Sequence, residues 1–254
     1  MKIAVITGAS SGIGRQFALD TDRNETLDEI WLIAKDRAEL TRTADAMRTK
    51  TRIIPLDLAE QESTDSLYRL LGETQPEIEI LVNAAGFGKI GASDVIGRRD
   101  TEDMIRVNVL ALADICLVCI PFMHNGSRII NLSSVSAYLP LPCLNVYAAT
   151  KAFVLRFSQG LHNELRQKGI SVTAVCPYWV DTNFISTAKD SPGTRSVTRF
   201  PLMTDAAPVV RKAMRDSLNG RMLSFFGAAA NTVHVLSCIM PACARMAIWN
   251  IIRR

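Results

Sequence analysis

A doubly wound parallel α/β sheet is the fold this chain predicts, and three observations predict it. Short apolar runs of strand length alternate with helix-period segments through six repeats. The first run passes directly into a turn holding three glycines. The chain has 254 residues, 48% hydrophobic and 21% charged, which suits one large domain with a complete core. The expectation is therefore a single domain over residues 1–254, with about seven strands and helices on both faces.

The elements follow in order. Residues 2–6 read as a buried strand, and the turn Thr7-Gly8-Ala9-Ser10-Ser11-Gly12-Ile13-Gly14 opens a helix reaching about residue 22. Glycines let a backbone approach a pyrophosphate, and the helix start offers free N–H groups and a positive dipole end. The spacing G-x-x-x-G-x-G differs from the commoner G-x-G-x-x-G of dinucleotide folds. Gly8, Ser10, Ser11, Gly12, Ile13 and Gly14 are thus candidate cofactor-binding residues. The bland alternative is an ordinary tight βα turn, which does not require three glycines and two serines.

Residues 29–34 predict the second strand. An acid at its end would bind the 2′-OH of NAD, and a base the 2′-phosphate of NADP. Here Ala34 is followed by Lys35, Asp36 and Arg37. Two cations favour NADP(H), with Lys35 as phosphate ligand; the Asp36 carboxylate keeps NAD(H) as the alternative. A helix over about 36–48 and a strand over 51–56 follow. Asp57 and Leu58 end that strand, where side chains meet an adenine edge. A helix over about 60–73 leads to a strand at 78–82 and then to Asn83-Ala84-Ala85-Gly86. The small residues Ala84 and Gly86 would admit a ribose against the backbone, and Asn83 can brace neighbouring strands. Residues 86–91 form a Gly-rich rim.

A long helical segment over about 100–123 carries Asn108 among apolar neighbours, where it either satisfies backbone or opens the helix locally. A strand at 128–132 leads to Ser133-Ser134, and a Pro-containing loop precedes a helix ending near Lys168, with Gly169 as its cap. That helix holds Tyr147 and Lys151. Positions i and i+4 share a helix face about 6 Å apart. An ammonium there favours the phenolate and draws the tyrosine pKa down from about 10. Such a tyrosine exchanges a proton with an oxygen during hydride transfer. The pair alone is a weak signal. Its weight comes from the fact that every candidate residue falls at a strand's C-terminal end, where doubly wound sheets bind ligands.

A sixth strand at 170–176 precedes Pro177-Tyr178-Trp179-Val180-Asp181-Thr182. Residues 183–203 are polar and long enough for a substrate lid. A helix over 204–219 and a short seventh strand over 221–225 are expected. The apolar segment 227–254 contains Pro241, His234 and Arg245, which makes it a poor membrane span. It would cover the substrate pocket, pack a dimer, or lie on a membrane surface, in that order. Tyr138, Leu139, Leu141, Leu144, Trp179 and Phe184 predict an apolar substrate wall.

Net charge of +4 with no basic stripe interleaved with aromatics does not argue for nucleic acid. Cys116-x-x-Cys119 lies in a continuous apolar run without partner ligands, so core packing is expected and no metal site. No charged and apolar leader pattern precedes the first strand, and a reducing, cytoplasmic setting is the expectation.

Thr7-Gly8-x-x-x-Gly12-Ile13-Gly14, Asn83-Ala84-Ala85-Gly86, Asn108, Ser134 and Tyr147-x-x-x-Lys151 together resemble the short-chain dehydrogenase/reductase family, over about residues 2–185. The resemblance implies a Rossmann-type fold and an NAD(P)-dependent oxidoreductase. It implies Tyr147 as proton donor or acceptor, and Ser134 as hydrogen-bond partner of the substrate oxygen. Lys151 would hold the nicotinamide ribose and lower the Tyr147 pKa, and Asn108 would hold a relay water. Val180 and Thr182 complete the implied cofactor contacts, and a homodimer or homotetramer through the two long helices is expected.

Where the family usually has Pro-Gly, this chain has Pro177-Tyr178-Trp179. That departure, with Phe87-Gly88-Lys89, resembles the branch of 17β-hydroxysteroid dehydrogenases and very-long-chain 3-ketoacyl reductases, and bacterial relatives acting on steroids or bile acids. A hydrophobic secondary alcohol or ketone is the implied substrate. A 3-ketoacyl thioester is the alternative, with Arg195 and Arg199 as candidate contacts for a carrier phosphate. A non-catalytic cofactor sensor would commonly have lost Tyr147 or Lys151.

Overall fold

The computed structural model describes residues 1–191 and 196–253. The described residues form a seven-stranded, all-parallel sheet. Its strands are β1 (Lys2–Thr7), β2 (Glu29–Ala34), β3 (Thr51–Pro55), β4 (Glu77–Asn83), β5 (Met123–Leu132), β6 (Ser171–Val175) and β7 (Leu223–Ser224). The order is β3-β2-β1-β4-β5-β6-β7, so the winding reverses between β1 and β4. A crevice opens at such a reversal, beyond the strands' C-terminal ends.

Successive side chains of a strand point to opposite faces, and both faces of this sheet are covered. Ile3 and Val5 of β1, with Trp31 and Ile33 of β2, pack into one apolar layer. Ala4, Ile6, Ile30 and Leu32 pack into the other. The first layer is closed by α3 (Gln61–Thr74), α5 (Leu112–Cys119) and α6 (Asn145–Leu165), through Leu67, Ile115 and Val154. The second is closed by α1 (Gly12–Asn24), α2 (Arg37–Ala44) and α8 (Ala206–Leu218), through Phe17, Leu40 and Val210. Each fully buried side chain of this size contributes about 1.5–3 kcal/mol of burial free energy. Cys116 and Cys119 lie fully buried in the first layer, as core residues.

Several elements differ from the sequence expectation. The long helix is interrupted. After α4 (Arg98–Ile105) it widens to a π-helical segment, Arg106–Ala111, and resumes as α5. Asn108 sits inside the widened turn. The run Arg98–Phe122 is long and apolar enough to cross a membrane by length and composition. Met104, Leu112, Ile115 and Cys116 within it are core residues, whereas Ile105, Leu110 and Leu117 are exposed. Strand β7 is only two residues long, at the sheet edge. Gly169, at φ 69°, closes the segment after α6 in the left-handed conformation, as predicted.

Residues 183–203 are not one polar loop. Residues Asn183–Lys189 form α7, capped by the Thr182 side chain, and Val197 is fully buried. Residues 192–195 of the expected lid, Arg195 among them, and Arg254 lie outside the described residues. The apolar tail folds as two helices, α9 (Gly227–Ile239) and α10 (Ala242–Ile252), with Pro241 between them. Trp249 of α10 is buried, and its indole donates to Pro142 O at 2.9 Å.

Candidate active site

A cleft of about 440 Å³ runs along the C-terminal ends of the strands, from the turn after β1 to α10. It brings together most of the residues the sequence singled out. Gly8, Ser10, Ser11, Gly12, Ile13, Gly14, Lys35, Asp57, Leu58, Ala84, Gly86, Ser134, Tyr147, Lys151, Val180 and Thr182 all line it.

The turn after β1 fits a dinucleotide pyrophosphate. Gly8 and Gly12 have positive φ, 67° and 52°. A Cβ on Gly8 would lie 2.8 Å from Ala85 N, and one on Gly14 would lie 2.2 Å from Gly8 O. The turn is therefore packed backbone to backbone. Ser11 caps α1 without a side-chain hydrogen bond, so the first N–H groups of α1 remain free for an anion at the positive end of the helix.

At the adenosine end Lys35 donates to Asp57 Oδ2 at 2.6 Å. Burial opposes the charge on Asp57. The Lys35 ammonium and the Ala59 N–H outweigh it and hold the carboxyl below its ordinary value. The Asp36 carboxylate is turned the other way: it accepts from Ala38 N and Glu39 N as the cap of α2. Asp36 thereby serves as the cap of α2.

Two expected site residues, Asn83 and Asn108, stand behind the cleft rather than in its lining. Asn83 is buried beneath it; its amide donates to Asn131 Oδ1 at 2.9 Å and to the Cys116 sulfur at 3.2 Å. It braces β4 against β5, a role the sequence allowed it. Asn108 is fully buried, and both ends of its amide are used. It donates to Phe87 O (2.8 Å) and Thr150 Oγ1 (3.1 Å) and accepts from Phe87 N (3.1 Å). That side chain clamps the rim after β4 to α6. Tyr138 is a correction, since its ring turns from the cleft to pack on Phe225 and His234. Leu139, Leu141, Leu144, Trp179 and Phe184 do form wall. Arg199 is exposed and outside the cleft.

Tyr147 and Lys151 stand one turn apart at the start of α6. Lys151 Nζ donates to Leu132 O at the end of β5 (2.7 Å) and lies 5.8 Å from the centre of the Tyr147 ring. Gly86 admits this approach: a Cβ there would be 3.3 Å from Lys151 Nζ and 2.9 Å from Asn108 Oδ1. Ser134 Oγ accepts from Ser136 N at 3.1 Å and stands near enough to the Tyr147 phenol to pull its pKa down. The Tyr147 ring rests on Phe184, with centroids 5.1 Å apart, and on Gly88, where a Cβ would come within 2.9 Å of the ring.

The expected downward shift of Tyr147 is not met by these side chains alone. Desolvation pushes the phenol up to about 12, against the smaller pull of Ser134. Burial also lowers Lys151 to about 8, which weakens the ammonium that was to lower Tyr147. The physical reason is common to both: in a dry site each charge loses its hydration, and the two groups alone do not replace it.

Some functional neighbours were missed at the sequence level. Leu132 holds Lys151 through a backbone carbonyl, for which no side-chain signal exists. Gly88 had a signal, as one glycine of the rim. Val233, Leu236, Met240, Ile248, Trp249 and Ile252 of the tail line the cleft, the first of the three places the sequence allowed it, though which of its side chains do so was not legible.

With fold and site defined, residues 2–192 match the short chain dehydrogenase family, and the chain belongs to it. Among curated proteins, human very-long-chain 3-oxoacyl-CoA reductase is 32% identical over 214 residues, covering 79% of this chain and 67% of that one. Among solved structures, a short-chain dehydrogenase from Sphingobium yanoikuyae in complex with NADPH is 26% identical. It has a TM-score of 0.79 and covers 94% of this chain and 93% of its own. A Burkholderia phymatum short chain dehydrogenase/reductase in complex with NAD is 24% identical, with a TM-score of 0.79 over 92% of each chain, and shares the fold. The chain is thus an oxidoreductase of this family with a nicotinamide cofactor.

Proposed function

We propose that this chain interconverts a hydrophobic secondary alcohol and its ketone, of steroid or bile-acid type, with NADP(H) as preferred cofactor. The observation that carries the reading is the cleft itself: Tyr147 and Ser134 open into a wall built from Leu139, Leu141, Leu144, Trp179 and the apolar faces of α9 and α10. Such a wall suits a large apolar substrate and offers few partners to a sugar. NADP preference rests on Lys35 together with the engagement of Asp36 in capping.

A nicotinamide dinucleotide bound in the cleft supplies or accepts the hydride. The turn after β1 would hold its pyrophosphate, and Lys35 its 2′-phosphate. Lys151, fixed on Leu132 O, would hold the nicotinamide ribose. Ser134 Oγ donates to the substrate oxygen and stabilises the developing alkoxide. In ketone reduction Tyr147 Oη gives its proton to that oxygen; in alcohol oxidation it takes one. Asn108 holds the Phe87 rim and α6 at the spacing this requires. An oligomer through the face of the widened turn Arg106–Ala111, α5 and α6, where Leu110, Leu117 and Phe153 are exposed, belongs to the same proposal.

A 3-oxoacyl thioester is the second reading, favoured by the name of the human relative. The test is absorbance at the reduced-nicotinamide band, with NADP or NAD, across hydroxysteroids, bile acids and 3-hydroxyacyl thioesters. Steroid or bile-acid turnover with NADP is expected. Tyr147→Phe should lose about 10³-fold in turnover with dinucleotide affinity retained. Turnover of thioesters alone would replace the first reading by the second, and a Tyr147→Phe variant at a tenth of wild type would remove Tyr147 from the mechanism.

A further inference from the structure

Three cations line the cleft among the described residues: Lys35, Lys151 and Arg245. The first pairs with Asp57 and the second binds Leu132 O. Arg245 also meets a backbone carbonyl, but part of its guanidinium is left without a partner. It projects from the first turn of α10 into the part of the cleft walled by Leu139, Leu141, Ile248 and Trp249. Its Nη1 donates to the Tyr138 carbonyl, while its Nε is buried without a hydrogen-bond partner. Among the described residues no carboxylate pairs with it, and the first turn of α10 contains no acid.

A guanidinium in an apolar wall is costly unless its donors and charge are met. The positive end of α10 adds to its field rather than offsetting it. A planar fork of donors is best met by a carboxylate. From this geometry we propose that Arg245 is a specificity-determining residue that binds the carboxylate of an amphipathic substrate, whose apolar body lies along the α9–α10 wall. The inference deepens the proposed function by adding an acid group remote from the reacting carbon, and it rests on that reading only for the chemistry at the Tyr147 end.

Calorimetric titration of the full chain with dodecanoate and with 1-dodecanol tests it without catalysis. The titrations are made with the protein saturated with NADPH and repeated without dinucleotide. Dodecanoate should bind wild type about 10- to 100-fold more tightly than the alcohol, the range of a charge-assisted hydrogen bond. Arg245→Gln removes the charge and keeps an amide donor for Tyr138 O. It should abolish that preference and leave alcohol and NADPH affinities unchanged. Equal binding of the two probes by wild type overturns the proposal without reference to any variant. So does an acid preference that survives in Arg245→Gln. A failed proposed function would appear separately, as absent turnover in a protein that still selects the acid. If a keto bile acid is turned over, its free acid should show a KM about tenfold below that of its methyl ester in wild type and not in Arg245→Gln.

Discussion

Tyr147 carries a pH signature that follows from its surroundings. Desolvation holds the phenol at about 12, so it is protonated at neutral pH and ready to act as an acid. Ketone reduction should therefore be nearly flat from about pH 6 to about pH 7 and fall as Lys151 loses its proton near 8. Alcohol oxidation needs the deprotonated form and should climb with pH from about pH 6 to about pH 8, by up to about tenfold per unit. Initial rates in the two directions check this; an oxidation rate that falls as pH rises would contradict it. Lys35 makes a second residue-scale prediction. Lys35→Ala should raise KM for NADP by about tenfold and leave KM for NAD nearly unchanged, since only one of them carries the phosphate. Equal effects on both would mean that Lys35 acts through Asp57 and not on the ligand. At this scale Tyr147, Lys151, Ser134 and the turn glycines were legible because their chemistry is in their side chains and spacing. The Tyr147 pKa was not, because it depends on how much water the fold leaves around the ring.

The widened turn Arg106–Ala111 shows how one element serves the site from outside it. Asn108 occupies this turn and spends its whole amide on Phe87 and Thr150. Asn108→Ala would orphan the Phe87 N–H and carbonyl and should cost about 1–3 kcal/mol of stability. Turnover should fall with dinucleotide affinity largely kept, because the rim beside Tyr147 loses its anchor. Denaturant unfolding and steady-state rates on the same sample separate the two effects; a variant as stable and active as wild type would remove this role. The sequence showed that an Asn stood among apolar residues in a helix. Which backbone group it meets was settled by β4 and α6 arriving from elsewhere in the chain, as was the burial of Asn83 between two strands.

For the whole molecule, the face formed by the widened turn Arg106–Ala111, α5 and α6 leaves Leu110, Leu117 and Phe153 at 53%, 58% and 40% exposure. Apolar side chains at helical spacing on one face are the material of a homo-oligomeric interface. Leu117→Lys should shift light-scattering mass toward a single chain while leaving the circular dichroism spectrum unchanged. A wild-type mass of one chain would remove the oligomer from the proposal. The opposite end of the molecule is closed by α9 and α10, where the Trp249 indole docks on the loop at Pro142. The tail thereby became part of the substrate wall, and residues 183–203, read as a polar lid, contributed α7 and the buried Val197.

By itself the sequence determined the doubly wound sheet, the cofactor turn and the Tyr147–Lys151 pair. Each is written in local signals: hydrophobic period, glycine at positions where a Cβ would strike backbone, and i,i+4 spacing on a helix. Only the tertiary structure decided that Asp36 caps a helix, that Asn83 and Asn108 brace the site from beneath it, and that Arg245 reaches the cleft from the far end of the chain. Those outcomes depend on burial and on partners distant in sequence, and a residue's own neighbours along the chain do not specify either.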